Sequence, residues 1–269
     1  MTLSPKNSAP SRRFESYAHR GLALEHPENT LEAFAAALDS GACWIETDVN
    51  TTADGVVVIF HDETLERVTG VPGYIGEKTW AELQEIEFGG GYRIPTLAEA
   101  LERFPQAKFN IDVKDDGSAQ HLPQVVVEAD AIERVRIASF SEERRARTLE
   151  NLRQLAPQRS LRTSASVRAM YFFMIGSWLP CICYPVMRVL ALRVIDRFDS
   201  MQVPRTYRLL GIDVPVVTPR MLRAAHWIGV TVQVWTIDDE TEMRELIDMG
   251  VDGIVTNRVD RLQQVLRSA

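Results

Sequence analysis

Cysteine is scarce in this sequence: Cys43, Cys181 and Cys183 are the only three in 269 residues, an odd number without the paired spacing of a zinc site. That excludes a disulfide framework and a zinc knuckle. Basic residues are also in deficit, 30 against 37 acidic ones, for a formal net charge of -7. A chain so charged neutralises a phosphate backbone poorly, and no nucleic-acid partner is expected. The opening MTLSPKNSAPSRR lacks the apolar stretch of a secretion signal, so a disordered leader over residues 1–13 and a cytoplasmic, reducing location are the expectation. No internal repeat or low-complexity tract is visible. What is present is core-forming material, with 45% hydrophobic and 25% charged residues. A single α/β barrel, typically about 250 residues, takes up the length without a second domain.

Short β-branched or apolar runs alternate with helical patterns, which argues for βα units around a parallel sheet. The expected strands are Ser16 to His19, Trp44 to Val49, Val56 to Phe60, Phe109 to Lys114, Arg136 to Ser139, Ser160 to Thr163, Met201 to Val203, Val232 to Thr236 and Gly253 to Thr256. Asp54-Gly55 reads as a tight hairpin, which folds Val56 to Phe60 back antiparallel and leaves eight strands for the barrel. The clearest helix is Leu31 to Ser40, capped by Asn29 or Thr30 and stopped at Gly41. Leu97 to Arg103, Arg220 to Ile228 and Glu240 to Met249 follow the same pattern. The fold expected is therefore α/β, a TIM (β/α)8 barrel over 14–269 with a small insertion after the second strand, an excursion covering about 63–95.

Ionisable residues recur at the carboxyl ends of the early strands, where such a barrel places its active site. The first strand ends in His19-Arg20-Gly21. Glu46 and Asp48, two apart, share one face of the second strand, and Asp112 and Lys114 repeat that spacing later. The hairpin returns to His61-Asp62. Taken singly, a strand-end histidine is more often structural, and acids two apart more often face solvent. Together, several carboxylates at one rim are unfavourable unless a metal or cations compensate. Oxygen ligands favour Mg²⁺ or Ca²⁺ over zinc, and Arg20 and Lys114 suit a substrate bearing phosphate.

These residues resemble the glycerophosphodiester phosphodiesterase family. The agreement runs through His19-Arg20-Gly21, Glu28-Asn29-Thr30, Ala33-Phe34, Gly41-Ala42, Glu46-Thr47-Asp48-Val49 and Thr52-Ala53-Asp54-Gly55. It continues with His61-Asp62, Thr69-Gly70, Pro95-Thr96-Leu97, Ser139-Phe140, Val234-Trp235-Thr236 and the closing Gly250-Val251-Asp252-Gly253-Ile254-Val255-Thr256-Asn257. The resemblance implies a TIM barrel that uses a divalent cation to hydrolyse small-molecule glycerophosphodiesters to an alcohol and glycerol 3-phosphate. On the matching positions, His19 and His61 become the general acid and base, Glu46, Asp48 and Asp112 the metal ligands, and Arg20 and Lys114 the phosphate contacts. Asp112 stands where the family usually carries a third glutamate; being one methylene shorter, it requires a closer metal or a bridging water. Trp235 and Gln202 are candidate substrate contacts, while His26, His121 and His226 read as structural or exposed. The residues leave open which histidine is the acid, whether water or the glycerol hydroxyl attacks, and which cation is used.

From Ala169 to Met187 there is no charged side chain in nineteen residues. Gly176, Pro180 and Pro185 argue against a membrane span in the midst of barrel motifs. Two readings follow. Exposed Tyr171, Phe172, Phe173, Trp178 and Leu179 make a peripheral membrane contact beside the active-site mouth, or the segment packs on the barrel wall or a subunit interface. The first would suit a lysophospholipase D-type enzyme working at a membrane surface, the alternative to a phosphodiesterase of small deacylated esters. A barrel without turnover, serving as a phosphodiester binder, is disfavoured by the intact ionisable set.

Overall fold

A computed structural model of the protein describes residues 14–178, 198–209 and 211–268. The expected leader, 1–13, and the later part of the apolar segment, 179–187, lie outside the described residues.

The strands are β1 (Glu15–His19), β2 (Trp44–Thr51), β3 (Val57–Ile59), β4 (Phe109–Val113), β5 (Val135–Ala138), β6 (Arg162–Thr163), β7 (Ser200–Pro204), β8 (Thr206–Leu209), β9 (Ile212–Pro215), β10 (Thr231–Trp235) and β11 (Gly253–Thr256). Eight of them pair in parallel in the order β6-β5-β4-β2-β1-β11-β10-β7, and β3 adds antiparallel to β2. A parallel bridge from Ser164 to Ser200, with Ala165 N–H donating to the Ser200 carbonyl at 2.8 Å, joins β6 to β7 and closes the ring. The protein is thus a TIM (β/α)8 barrel with an insertion after the β2–β3 hairpin.

The core divides between two sides of the barrel. On one side Ile45, Phe109, Ile111 and Ile137 pack under the helices Leu97–Arg103, Asp116–Glu128 and Glu142–Leu155. On the other, Met201, Val232 and Ile254 pack under Pro219–Trp227, Glu240–Met249 and Val259–Ser268. Inside the barrel, below the mouth, Tyr17 stacks on Trp44 with ring centroids 5.6 Å apart, and the Arg136 guanidinium lies 4.7 Å from the Trp44 ring. A third, small core of Val58, Phe60, Leu65, Ile75 and Leu83 belongs to the insertion.

Thr30 caps the helix Leu31–Asp39, accepting the Ala33 N–H at 3.2 Å. The turn before it is tight. Gly21 has φ +84°, and a Cβ there would lie 2.7 Å from the Ala33 carbonyl carbon. Gly21→Ala therefore meets both an unfavourable backbone region and a backbone clash, and is expected to cost about 1–3 kcal/mol or more. A melting temperature within one degree of wild type would contradict this.

The described part of the apolar segment lies in the helix Val167–Trp178. This helix begins directly beyond β6, on the mouth side, and Val167, Met170 and Tyr171 line the cleft there. One expectation is corrected: Phe173 is not exposed but buried, at 8%, in the core beneath β7 and β10, with Ala169 one turn earlier at 1%. A helical face one turn long packs those two side chains inward together. Tyr171 is exposed, as expected.

Candidate active site

Strand register assembles the site. In the parallel pairing of β1 with β2, His19 stands beside Glu46, and in that of β2 with β4, Asp48 stands beside Asp112. Since alternate residues of a strand share a face, Glu46 and Asp48 both point into the barrel. The β2–β3 hairpin brings His61 back to the same rim. All nine residues singled out from the sequence (His19, Arg20, Glu46, Asp48, His61, Asp112, Lys114, Gln202 and Trp235) line one cleft of about 440 Å³.

The carboxylates are deeply placed, with 3% of the Asp48 side chain, 9% of Asp112 and 12% of Glu46 exposed. Lys114 Nζ lies between two of them, 2.8 Å from Asp48 Oδ1 and 2.6 Å from Asp112 Oδ2. Arg20 Nε is 3.1 Å from Asp48 Oδ2, and Asn29 Nδ2 donates to the same oxygen at 3.2 Å. Burial works against the Asp48 carboxylate, but Lys114 and Arg20 prevail and hold it below the usual range. At Asp112 burial prevails over Lys114 and pushes the carboxyl up. Burial also opposes the Lys114 charge, yet Asp112 and Asp48 push its ammonium up to about 12.

Glu46 differs from both. It accepts the Arg20 backbone N–H at 3.3 Å, and His19 Nε2 is 4.0 Å away. Burial, then the neighbouring Asp48 and Asp112, drive its carboxyl far above the ordinary value. Among the described residues no group of three or more His, Cys, Asp or Glu closes around a single point. The donor chemistry nevertheless fits a hard cation: three oxygen acids face one cleft, and one of them has no side-chain cation in contact.

Both histidines are tethered through Nδ1. His19 Nδ1 is 2.7 Å from Asn257 Oδ1, and Asn257 is fixed in turn by donating Nδ2 to Asp238 Oδ2 at 2.8 Å. His61 Nδ1 is 2.6 Å from Asp62 Oδ1. With Nδ1 occupied, each ring has Nε2 left for chemistry. Burial pushes the His19 imidazole below its ordinary value.

The two weaker candidates divide. Trp235 meets Phe140 edge to face, centroids 6.3 Å apart, at the cleft wall. Gln202 is committed within the barrel, where its Nε2 donates to Asn110 Oδ1 at 2.7 Å. Of the histidines set aside, His26 bonds the Tyr92 hydroxyl at 2.8 Å and His226 pairs with Asp252 at 2.8 Å, both away from the cleft. Residues the sequence reading assigned no role in the site are Glu28, Asn29, Asp62, Arg67, Asp238 and Asn257. Four of them lie inside quoted motifs, whereas Arg67 and Asp238 give no sequence signal.

A closed parallel barrel whose carboxyl-terminal mouth joins two tethered imidazoles, buried acids and two cations has the layout of a barrel enzyme's active site. Residues 19–261 match the sequence model of the Glycerophosphoryl diester phosphodiesterase family, and the chain belongs to that family. A Mycobacterium tuberculosis protein named "Probable glycerophosphodiester phosphodiesterase 2" is 37% identical over 250 residues, covering 93% of this chain and 89% of its own. A glycerophosphodiester phosphodiesterase of Caldanaerobacter subterraneus subsp. tengcongensis is 30% identical, covering 93% and 96%. Among solved structures, a glycerophosphodiester phosphodiesterase from Agrobacterium tumefaciens superposes with TM-score 0.72 at 26% identity, over 95% of this chain and all (100%) of that one. A phosphodiesterase from Oleispira antarctica, solved with the product sn-glycerol-3-phosphate, superposes with TM-score 0.70 at 23% identity over 94% and 96%, a likeness of fold.

Proposed function

We propose that this enzyme hydrolyses glycerophosphodiesters to an alcohol and sn-glycerol 3-phosphate, with His19 and His61 as the acid–base pair. The observation that carries this reading is the convergence of two Nδ1-tethered imidazoles on a cleft whose walls supply Arg20 and Lys114 to a phosphate. The product bound to the Oleispira antarctica phosphodiesterase supports the same substrate class.

A phosphodiester resists attack because its anionic charge repels a nucleophile and its alkoxide leaves poorly. Arg20 and Lys114 counter the first obstacle by drawing charge from the nonbridging oxygens. His19, whose imidazole burial holds below its ordinary value, suits the base that takes a proton from the nucleophile: either water, which gives glycerol 3-phosphate directly, or the glycerol 2-hydroxyl, whose cyclic phosphate water then opens. His61, its Nδ1 held by the Asp62 carboxylate, then delivers a proton to the departing oxygen. Glu46, Asp48 and Asp112 would hold a divalent cation, Mg²⁺ or Ca²⁺, which when bound supplies further charge stabilisation at the phosphoryl group.

The test is release of glycerol 3-phosphate from glycerophosphocholine and glycerophosphoethanolamine with Mg²⁺, Ca²⁺ or chelator, beside choline release from lysophosphatidylcholine. Chelator-sensitive glycerol 3-phosphate is the expected result. Turnover of the lysolipid alone would overturn the reading in favour of a lysophospholipase D-type enzyme and give the 169–187 segment a membrane role.

A further inference from the structure

The insertion carries one cation to the back of the catalytic wall. Leu65 is wholly buried in the insertion's core, and its N–H donates to the Gly73 carbonyl at 2.9 Å. One helical turn, Glu66–Thr69, follows before Gly70 ends it at φ +74°. On that turn stands Arg67, whose side chain is 49% exposed and does not line the cleft.

Its guanidinium spans two carboxylates. Arg67 Nε donates to Asp62 Oδ2, and Nη2 donates to Glu28 Oε1 at 2.6 Å. Each carboxylate has a second partner that does line the cleft. Asp62 Oδ1 holds His61 Nδ1 at 2.6 Å, and Glu28 Oε1 also accepts from Arg20 Nη1 at 2.9 Å. One planar fork thus joins the tether of a histidine to the tether of a phosphate-facing arginine. At this exposure the two ion pairs add little to folding stability, so the geometry they impose is their main effect. A planar guanidinium serves two carboxylates at fixed angles, whereas a lysine ammonium is a single point of charge.

We propose that Arg67 is a positioning residue: by bridging Asp62 and Glu28 it fixes the His61 ring and the reach of Arg20 from outside the cleft. The proposal rests on the acid–base role of His61 given above. A displacement of about 1 Å at a catalytic group costs on the order of 10²-fold in rate, which sets the scale of the effect.

The experiment measures kcat, KM and melting temperature for Arg67→Ala, Arg67→Lys, Asp62→Asn, the Asp62→Asn/Arg67→Ala double variant and His61→Ala. Arg67→Ala is expected to lose about 10- to 100-fold in kcat with a smaller rise in KM and a nearly unchanged melting temperature. Arg67→Lys should recover part of that loss, and millimolar guanidinium should raise the rate of Arg67→Ala. In the double variant the combined loss should fall well short of the product of the single losses, because both act through one ring. Wild-type kcat in Arg67→Ala, losses that multiply in the double variant, or a loss that follows unfolding without guanidinium rescue would each overturn the proposal. If His61→Ala itself keeps near-normal turnover, the acid–base reading fails rather than the bridging by Arg67.

Discussion

Replacing His61 or His19 by alanine is expected to lower kcat by about 10²- to 10⁴-fold while the barrel stays folded, the range a single proton transfer contributes. Each ring is held at one nitrogen and presented at the other, so alanine removes the transferable proton and little else. Neither imidazole belongs to the hydrophobic clusters that hold the strands and helices together. The loss should therefore appear in kcat, with circular dichroism and melting temperature close to wild type. Glycerol 3-phosphate release under saturating substrate measures it. A histidine variant that keeps near-normal turnover would remove that residue from the mechanism. His19→Asn separates geometry from proton transfer, since the asparagine amide nitrogen stands where Nδ1 does and can reach Asn257 but cannot act as a base.

Glu46→Gln is expected to separate activity from stability. In the folded chain the Glu46 carboxyl titrates well above the ordinary 4.5. A carboxyl raised in this way favours folding fully below its unfolded value, and that contribution is lost as pH climbs through the folded value. At neutral pH the unfolded chain gains by ionising this carboxyl and the buried site resists it, so Glu46 weighs against the metal-free fold, and chelator-treated wild type should lose melting temperature as pH rises from about 4.5. Glutamine keeps the shape and deletes the charge, so Glu46→Gln in chelator should melt higher than wild type at neutral pH. The same variant should lose on the order of 10²-fold or more in turnover, the scale on which a charge-stabilising group acts in a transition state. Its melting temperature should no longer rise with Mg²⁺ or Ca²⁺, because a ligand stabilises only a fold that binds it. Differential scanning calorimetry with and without cation decides the matter. A lower melting point in chelator, or cation-stimulated turnover at wild-type level, would sink the assignment of Glu46.

The sequence made the strands legible because a buried parallel strand is a short apolar run, and every expected strand overlaps an observed one. The site was legible for a related reason: Glu46 with Asp48, and Asp112 with Lys114, are spaced two apart, which fixes their common face before any coordinates are known. Other elements escaped because their local patterns mislead. Asp116–Glu128 carries Pro123 in its interior, and Glu142–Leu155 is so polar that only Arg145, Thr148, Leu149 and Leu152 are buried. The hairpin β8–β9 leaves all of Ile212–Pro215 exposed, so no buried apolar run marks it. Arg67 and Asp238 were invisible for another reason. They touch Asp62, Glu28 and Asn257, which in turn touch His61, Arg20 and His19, and those contacts are set by the tertiary fold alone.

His19 and Asn257, hydrogen-bonded at 2.7 Å, are 238 positions apart in the chain. β1, the first strand, pairs with β11, the last, Glu15 beside Gly253. The earliest of the proposed catalytic residues to leave the ribosome, His19, therefore waits for one of the latest residues before its ring is oriented. Closing so distant a contact is slow and comes after the local βα units have formed. On the proposed mechanism, hydrolytic competence is thereby tied to completion of the barrel, and a chain interrupted before Asn257 would carry His19, Glu46, Asp48 and His61 without the Asn257 contact that orients His19.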